Sequence, residues 1–447
     1  MNIITRFPPS PTGYLHIGRA RTALFNFLFA RHHGGKMVFR IEDTDKERSK
    51  KEYEQDIIDS LSWMNISHDD GPYRQSERNA VYKKYIEKLI KDGCAYVSKE
   101  IPEAGEEEKK RSEVIRFRNP NKKIEFEDLI RGKIEFDTTE LGDFVIARSI
   151  DEPLYHLTVV IDDFEMKVTH IIRGDDGISN TPRQILIQEG IGAPRPVYAH
   201  LPLILAKDKS KLSGRHGAVS VMEYRNDGFM PEALTNYLAL LGWNPGTDKE
   251  IFTMEELIKE FSIEKIQKSG AIFDLEKLRW FNREYLMKLD DKQFTDMAIP
   301  YLPEWLRGTS AEWQRMLPLV RDKVHTFRDV AMLFQEKGDL HFTAGNPAYP
   351  SSLLLWKKEP DAMAAKAHLE HVRTLLGDLD EASFAPETIK DTLWAYAEEK
   401  GRGNVLWPLR VALTGQEKSP DPFISAAILG KEETLKRIDN AISIISK

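Results

Sequence analysis

The hydrophobic pattern opens on a short strand. Over residues 2–7, Ile3 and Ile4 lead to Arg6, and Pro8 and Pro9 end the segment because neither can donate to a ladder. A turn follows at Pro9-Ser10-Pro11-Thr12-Gly13. From Ile17 the period changes. Leu24, Phe25, Leu28 and Phe29 recur at three and four, which predicts a helix with an apolar face, stopped by Gly34-Gly35. Met37-Val38-Phe39-Arg40-Ile41 predicts a second strand, which runs into Glu42-Asp43-Thr44-Asp45. Strand, turn, helix and strand within about forty residues make a right-handed βαβ unit, and hence a parallel sheet.

Helical periodicity continues over 49–64 and 78–92. Between 95 and 160 the texture changes to strand-like pieces at 114–117, 134–136 and 144–146, with charge runs such as 106–111 between them. This predicts an insertion into the parallel-sheet domain. Alpha/beta texture returns with a strand at 168–172 and a helix near 180–190, and Pro202-Leu203-Ile204-Leu205 then leads into a basic loop at 207–215. From about residue 228 to 447 the pattern is almost all helical, with Pro, Gly and Asp as punctuation. There is no internal repeat and no low-complexity tract.

Composition narrows the class. The chain has 447 residues, 41 % hydrophobic and 30 % charged, enough apolar material for large cores. The single cysteine, Cys94, excludes an intramolecular disulfide framework and a Cys-pair zinc site, and it fits a reducing compartment. No apolar run approaches the roughly 18 residues of a spanning helix, and residues 1–6 lack the apolar region of a signal peptide, so a cytoplasmic location is expected. A net charge of −7 argues against a nonspecific nucleic-acid coat but leaves room for a local basic groove.

Four strings carry candidate chemistry. The first is Arg6-Phe7-Pro8-Pro9-Ser10-Pro11-Thr12-Gly13-Tyr14-Leu15-His16-Ile17-Gly18-Arg19. It sits where a strand ends and a helix opens, the place at which open α/β sheets bind ligands and a helix N-terminus favours anions. His16 can donate to a phosphate there, and Gly18 lets a base or ribose approach the backbone. The second, Arg40-Ile41-Glu42-Asp43-Thr44-Asp45, puts carboxylates at the next strand end, where they can grip an amino group. The third is Tyr155-His156-Leu157 with Asp162-Asp163, followed by Arg173-Gly174-Asp175-Asp176-Gly177-Ile178-Ser179-Asn180-Thr181-Pro182-Arg183-Gln184. The fourth is the basic loop, in which Lys207, Lys209, Lys211 and Arg215 face one carboxylate, Asp208. Any one of these alone reads as an ordinary turn, a surface ion pair or a solvated loop. No Gly-x-Gly-x-x-Gly is present, so a dinucleotide site has little support.

Together the strings resemble the class I aminoacyl-tRNA synthetases and, more narrowly, the bacterial glutamyl-tRNA synthetases, over essentially the whole chain. Residues 236–243 and 273–280 look like that family's stem-contact region, and 408–415 like its helical anticodon-reading region. The fold implied is α/β plus all-α. A Rossmann-like parallel-sheet catalytic domain (1–75 and 168–227) is split by an α+β acceptor-binding insertion (76–167). A stem-contact domain (228–310) and a helical anticodon-binding region (311–447) follow. The activity implied is ATP-dependent attachment of L-glutamate to tRNA(Glu) through a glutamyl-adenylate, releasing AMP and pyrophosphate with Mg²⁺ assisting. The partners are then tRNA(Glu), L-glutamate and ATP, with tRNA(Gln) left open, no membrane, and a monomeric enzyme.

By the same resemblance, His16 and Lys211 are catalytic. Ser10, Thr12, His16, Gly18, Leu203, Ile204, Lys209, Lys211, Ser213 and Arg215 bind ATP, while Arg6, Ser10, Glu42, Tyr155 and Arg173 bind glutamate. The physics agrees on the last group, because a dicarboxylate needs guanidinium partners in a fork geometry. Two departures stand out. Where the family often has His this chain has Gly177, so a contact near the substrate is missing or supplied by water. Gly214 takes the place of the usual second lysine of the basic loop. Three alternatives remain: a tRNA-modifying glutamyl transferase, which would lack the helical C-terminal half; a glutaminyl enzyme, which usually carries Asp-Asp-Thr-Asn at the second string; and a non-enzymatic tRNA-binding module.

Many relatives hold zinc in the insertion through Cys-x-Cys after a tyrosine. Here Ser98 and Glu100 follow Tyr96 in those places. A closed tetrahedral site needs four such ligands. Elemental analysis of the dialysed protein is therefore expected to find no stoichiometric zinc, and one zinc per chain would contradict this.

Overall fold

The computed structural model describes residues 2–99, 113–214, 220–307, 310–357 and 361–446. The charge run at 106–111 and the positions of Glu100 and Arg215 lie outside the described residues. Contacts divide the chain into two compact units, Met1–Tyr285 and Leu286–Lys447.

In the first unit, strand β1 (Ile4–Phe7) leads through the proline turn to helix α1 (Ile17–His32) and strand β2 (Lys36–Ile41), and β1 and β2 pair in parallel. Helix α2 (Lys51–Trp63) carries the chain to β3 (Asp70–Arg74), which pairs in parallel with β2 at the sheet's edge. All but the first residue of β2 is buried, as in a parallel sheet covered on both faces. Helix α1 is buried on most of its surface, including Ala20, Ala23, Leu24, Phe27 and Leu28, a wider apolar face than the periodicity alone predicted. Its end follows the expected punctuation, with Gly34 at φ +62°.

The segment expected to be an insertion begins with α3 (Asn79–Lys91). It contains an antiparallel sheet of β4 (Ala95–Lys99), β5 (Glu113–Phe117), β8 (Phe144–Ser149) and the short β9 (Glu152–Pro153). A hairpin of β6 (Lys123–Asp128) and β7 (Gly132–Asp137) leaves that sheet and joins the other one. Helix α4 (Tyr155–Glu165), β10 (His170–Gly174), α5 (Thr181–Ile191) and β11 (Val197–Leu201) complete the parallel layer. Strand β11 pairs with β10 along its length and with β6 at Tyr198 and Asp128. Thr169 stitches β10 to β1: its amide donates to the Ile4 carbonyl and its hydroxyl accepts from the Ile4 amide, both at 2.9 Å. The expected strand at 168–172 thus starts two residues later, because the chain leaves α4 through Lys167 at φ +58° and spends residue 169 on this stitch.

Strand β12 (Ile204–Leu205) follows directly and pairs with β13 (Ala271–Ile272), a strand inside the half expected to be almost all helical. Helices α6 (Val221–Asn226), α7 (Pro231–Leu240), α8 (Met254–Glu260) and α9 (Leu275–Lys288) make up the rest of this part. The second unit is built from α10 (Asp291–Ala298), α11 (Ser310–Lys323), α12 (Phe327–Phe334), α13 (Ala362–Gly377), α14 (Pro386–Lys400), α15 (Arg402–Thr414), α16 (Pro422–Leu429) and α17 (Lys431–Ile445). Its core includes Leu369, Leu393, Leu409, Val411 and Ile438. Arg437 is 3 % exposed there and donates to the carbonyls of Phe342, Leu413 and Gly345, tying three segments whose carbonyls no helix satisfies.

Candidate active site

The C-terminal ends of β1, β2 and β10 converge on one crevice, and each delivers an arginine. Arg6 and Arg40 are buried and Arg173 half-buried. Arg40 donates from Nη1 to Asp163 Oδ1 at 2.9 Å and from Nη2 to Glu42 Oε1 at 3.1 Å, and its Nε lies 3.6 Å from Asp162 Oδ2. Asp162 also accepts from Arg78 Nε at 2.7 Å, from the Tyr82 hydroxyl at 2.8 Å and from Gln75 Nε2 at 2.9 Å. Arg6 Nε reaches Asp163 Oδ2 at 3.4 Å. Arg6, Arg40 and Arg78 thus balance Glu42, Asp162 and Asp163. Burial works against the charge of Arg40, but the three carboxylates outweigh it and hold the guanidinium's pKa above its ordinary value. Burial pushes the Glu42 carboxyl up, against the pull of Arg40. Only Oε1 of Glu42 is bonded among the described residues, so Oε2 remains for a ligand.

Arg173 is held differently. Its Nε donates to His200 Nε2 at 3.1 Å, Nη1 to Gln184 Oε1 at 2.8 Å and Nη2 to Thr181 Oγ1 at 2.7 Å. All three acceptors are neutral side chains, and no carboxylate pairs with Arg173 among the described residues. Burial and the nearby Arg6 charge lower its pKa, while Tyr155 works the other way. Tyr155 opens α4 and is 39 % exposed. Its hydroxyl is pushed up by desolvation and then by Glu42, with Arg173 and Arg6 opposing, as expected of a ring that lines a cleft. The structure therefore brings Arg6, Glu42, Tyr155 and Arg173 into one electrostatic neighbourhood.

Gly177 has a steric reason. A Cβ there would come 2.5 Å from Arg173 Nε and 2.7 Å from its Cδ. The space expected to lack a contact is filled by the arginine itself, which lies across the glycine.

Around the first string, His16 caps α1, and its Nδ1 accepts from the Gly18 amide at 3.0 Å. In the neutral ring the proton then sits on Nε2, which becomes an outward donor. Burial, Arg19 and Lys211 lower the His16 pKa, so the ring is neutral at physiological pH. A Cβ at Gly18 would press on the same Nδ1 at 3.3 Å. Ser10 accepts at its carbonyl from Arg19 Nη1 and from the Thr12 amide, which shapes the turn. The Leu203 carbonyl accepts from Ala271, and that of Ile204 from Leu212, so this stretch is pinned at the base of the basic loop. In the loop Lys209 adopts φ +63°, Lys207 pairs with Asp274 at 3.3 Å and Lys211 with Asp176 at 3.6 Å, all well exposed. Ser213 lies at the far end of the loop, and beside it Gly214 has open space around it: an added Cβ would meet nothing within 4 Å.

Residues 2–114 and 103–280 match the family described as tRNA synthetases class I (E and Q), catalytic domain, and 293–442 match the anticodon binding domain. A glutamate–tRNA ligase of Sulfurihydrogenibium sp. is 40 % identical, covering 97 % of this chain and 98 % of its own. One from Thermodesulfovibrio yellowstonii is 41 % identical, covering 98 % of each. The chain belongs to the glutamate–tRNA ligase family. A crystal structure of a glutamate tRNA ligase from Elizabethkingia meningosepticum, in complex with its amino acid, is 31 % identical and superposes with a TM-score of 0.86 over 100 % of both chains.

The buried ion cluster lies within the stretch that matches the catalytic-domain family. Arg40, Asp162, Asp163, Thr181 and Gln184 stand inside the quoted strings, yet the strings assigned them no role. Asp128 and His200 lie in no string at all; only the pairing of β10 with β11 brings His200 beside Arg173. Replacing Arg40 by Met strands buried carboxylates without their central partner. Such a break costs about 3–5 kcal/mol. Urea unfolding of Arg40→Met is expected to show a loss of this size, and a loss below about 1 kcal/mol would contradict the role given to the cluster.

Proposed function

We propose that this chain joins L-glutamate to tRNA(Glu) in two steps. The observation that carries the reading is Arg173, a guanidinium without a carboxylate partner beside Arg6, Tyr155 and Glu42 at the strand ends. The glutamate side-chain carboxylate completes its coordination, with Arg6 adding charge, and Glu42 Oε2 takes the α-ammonium. ATP lies against the first string and the basic loop. An oxygen of the glutamate α-carboxylate attacks the α-phosphorus, the bond from phosphorus to the bridging oxygen breaks, and pyrophosphate leaves. A hydroxyl of the terminal tRNA ribose then attacks the glutamyl carbonyl and AMP leaves.

The protein's share of this chemistry is positioning and charge stabilisation. His16 Nε2–H donates to a phosphate oxygen, and Lys209, Lys211 and Arg215 neutralise the triphosphate. Ser10, Thr12 and Gly18 shape the turn around it, the 203–204 backbone and Ser213 frame the loop, and Gly177 leaves Arg173 its room. Mg²⁺ bound to the triphosphate would add charge neutralisation beside that of the basic loop. No helix among the described residues is long and apolar enough to cross a membrane. On this reading the enzyme works as a cytoplasmic monomer, with 1–75 and 168–227 as catalytic domain, 76–167 receiving the acceptor end, 228–310 contacting the stem and 311–447 reading the anticodon.

ATP–pyrophosphate exchange, run with and without tRNA, tests the reading. Glutamate-dependent exchange is expected, and its absence under both conditions would overturn it. Parallel charging of tRNA(Gln) reads whether that tRNA is also a substrate. Within that assay His16→Ala is expected to slow adenylate formation by about 10²–10³, near 3 kcal/mol, while glutamate affinity stays close to wild type. Single-turnover rates within about threefold of wild type would sink the role of His16.

The basic loop yields a further expectation. Gly214 removes a cation, and on this reading Lys211, whose charge reaches His16, supplies it. Lys211→Ala should slow activation by about 10²-fold, Lys209→Ala less so, and Gly214→Lys, whose Cβ meets no contact within 4 Å, should change little or partly rescue Lys211→Ala. Wild-type rates in both lysine variants, together with about tenfold acceleration in Gly214→Lys, would show instead that the glycine is a real loss of catalytic power.

A further inference from the structure

The position of Arg173 is set from the neighbouring strand. In the parallel pairing of β10 and β11, Arg173 lies opposite His200, which is fully buried. His200 Nδ1 lies 2.7 Å from Asp128 Oδ2, and Asp128 is 3 % exposed. Asp128 also accepts from the backbone amides of His200 at 3.0 Å, Ile130 at 3.0 Å and Arg131 at 2.9 Å. Burial works against its charge, but the His200 bond and these amides outweigh it and hold the carboxyl below its usual range. Burial lowers the His200 pKa despite Asp128, so the imidazole is neutral. A neutral ring that donates from Nδ1 to a carboxylate has only a lone pair at Nε2. That lone pair receives Arg173 Nε–H, with the Thr181 hydroxyl 3.3 Å from the same nitrogen.

We propose that His200, oriented by Asp128, is a positioning residue for substrate recognition: it fixes the Arg173 guanidinium through a neutral acceptor and so leaves its charge for a carboxylate. A guanidinium carries five N–H donors. His200, Gln184 and Thr181 use one each on Nε, Nη1 and Nη2, which leaves one N–H on each terminal nitrogen for a bidentate partner. A carboxylate in direct contact would hold Arg173 equally well but would compete with the substrate. Placing the anion one ring away fixes the tautomer without neutralising the cation. The device also gives the β6–β7 hairpin a task, because Asp128 ends β6 and reaches the site only where β6 joins the sheet edge.

The inference rests on the assignment of Arg173 to the glutamate carboxylate, and the experiment separates the two. Steady-state exchange kinetics compare wild type with Arg173→Ala, His200→Phe, which keeps ring bulk without an acceptor, and His200→Gln, whose amide oxygen can accept from Arg173. The expected result is a glutamate KM raised about tenfold or more in His200→Phe, with kcat and the ATP KM within about twofold of wild type, and most of the loss recovered in His200→Gln. Arg173→Ala raises the same KM further. Should His200→Phe not fold, Asp128→Asn, which removes the carboxylate charge and leaves one acceptor oxygen for the donors that share two in the wild type, is expected to give the same split. A normal glutamate KM in His200→Phe beside a raised one in Arg173→Ala overturns this proposal alone. Equal defects in His200→Phe and His200→Gln that extend to kcat and the ATP KM show a merely structural role and also overturn it. A normal glutamate KM in Arg173→Ala overturns the assignment of the pocket itself.

Discussion

Arg40 is fully buried and touches three carboxylates, and the crevice is organised around that fact. Charges removed from water are expensive unless they are paired and hydrogen-bonded. Here the pairing draws on four separate parts of the chain: β1 through Arg6, β2 and the residue after it through Arg40 and Glu42, the N-cap and first turn of α3 through Arg78 and Tyr82, and the end of α4 through Asp162 and Asp163. A cluster of this kind adds little net stability compared with an apolar core of the same volume. What it supplies is a geometry that cannot be relaxed piecemeal, since displacing one member leaves another charge buried and unanswered. Arg6 and Glu42 therefore face the crevice from fixed positions.

Arg173 stands against that background as the exception. Every other arginine in the crevice has a carboxylate, whereas Arg173 has a histidine, an amide and a hydroxyl. A balanced cluster beside an unanswered cation attracts an anion of the right reach, and a neutral amide cannot take its place without leaving the charge uncompensated. The same economy shows at Gly177, where the absent side chain is what lets Arg173 lie flat. Around His16 and the basic loop the groups change from buried to exposed. His16 is fixed by its cap, while Lys209 and Lys211 are exposed to solvent and Lys211 pairs with Asp176.

How much of this could be read from the sequence depends on where the information lies. The β1–α1–β2 unit was legible because Pro8, Pro9 and the Gly34-Gly35 pair punctuate it and the apolar period switches between them. Strand β3 was not, because Gly71 and Pro72 speak against a strand, and only its place at the sheet edge makes them tolerable. Strand β6 alternates Ile124 and Phe126 with exposed charges, but it is short, and its partner β11 lies about seventy residues on, a separation no local pattern encodes. Family strings pointed to Arg6, Glu42, Tyr155 and Arg173, which the structure gathers in one place. They were silent on what holds those residues, since Asp128 and His200 acquire meaning only from register.

On the proposed function, a carboxylate is the group that completes Arg173. Charging of purified tRNA(Glu) with labelled glutamate and, separately, labelled glutamine at saturating ATP reads this in one quantity, the ratio of kcat/KM values. A buried polar site rejects a ligand that leaves its groups unpaired by about 10⁴-fold, and a preference for glutamate of that order is predicted. Comparable charging with glutamine would contradict it.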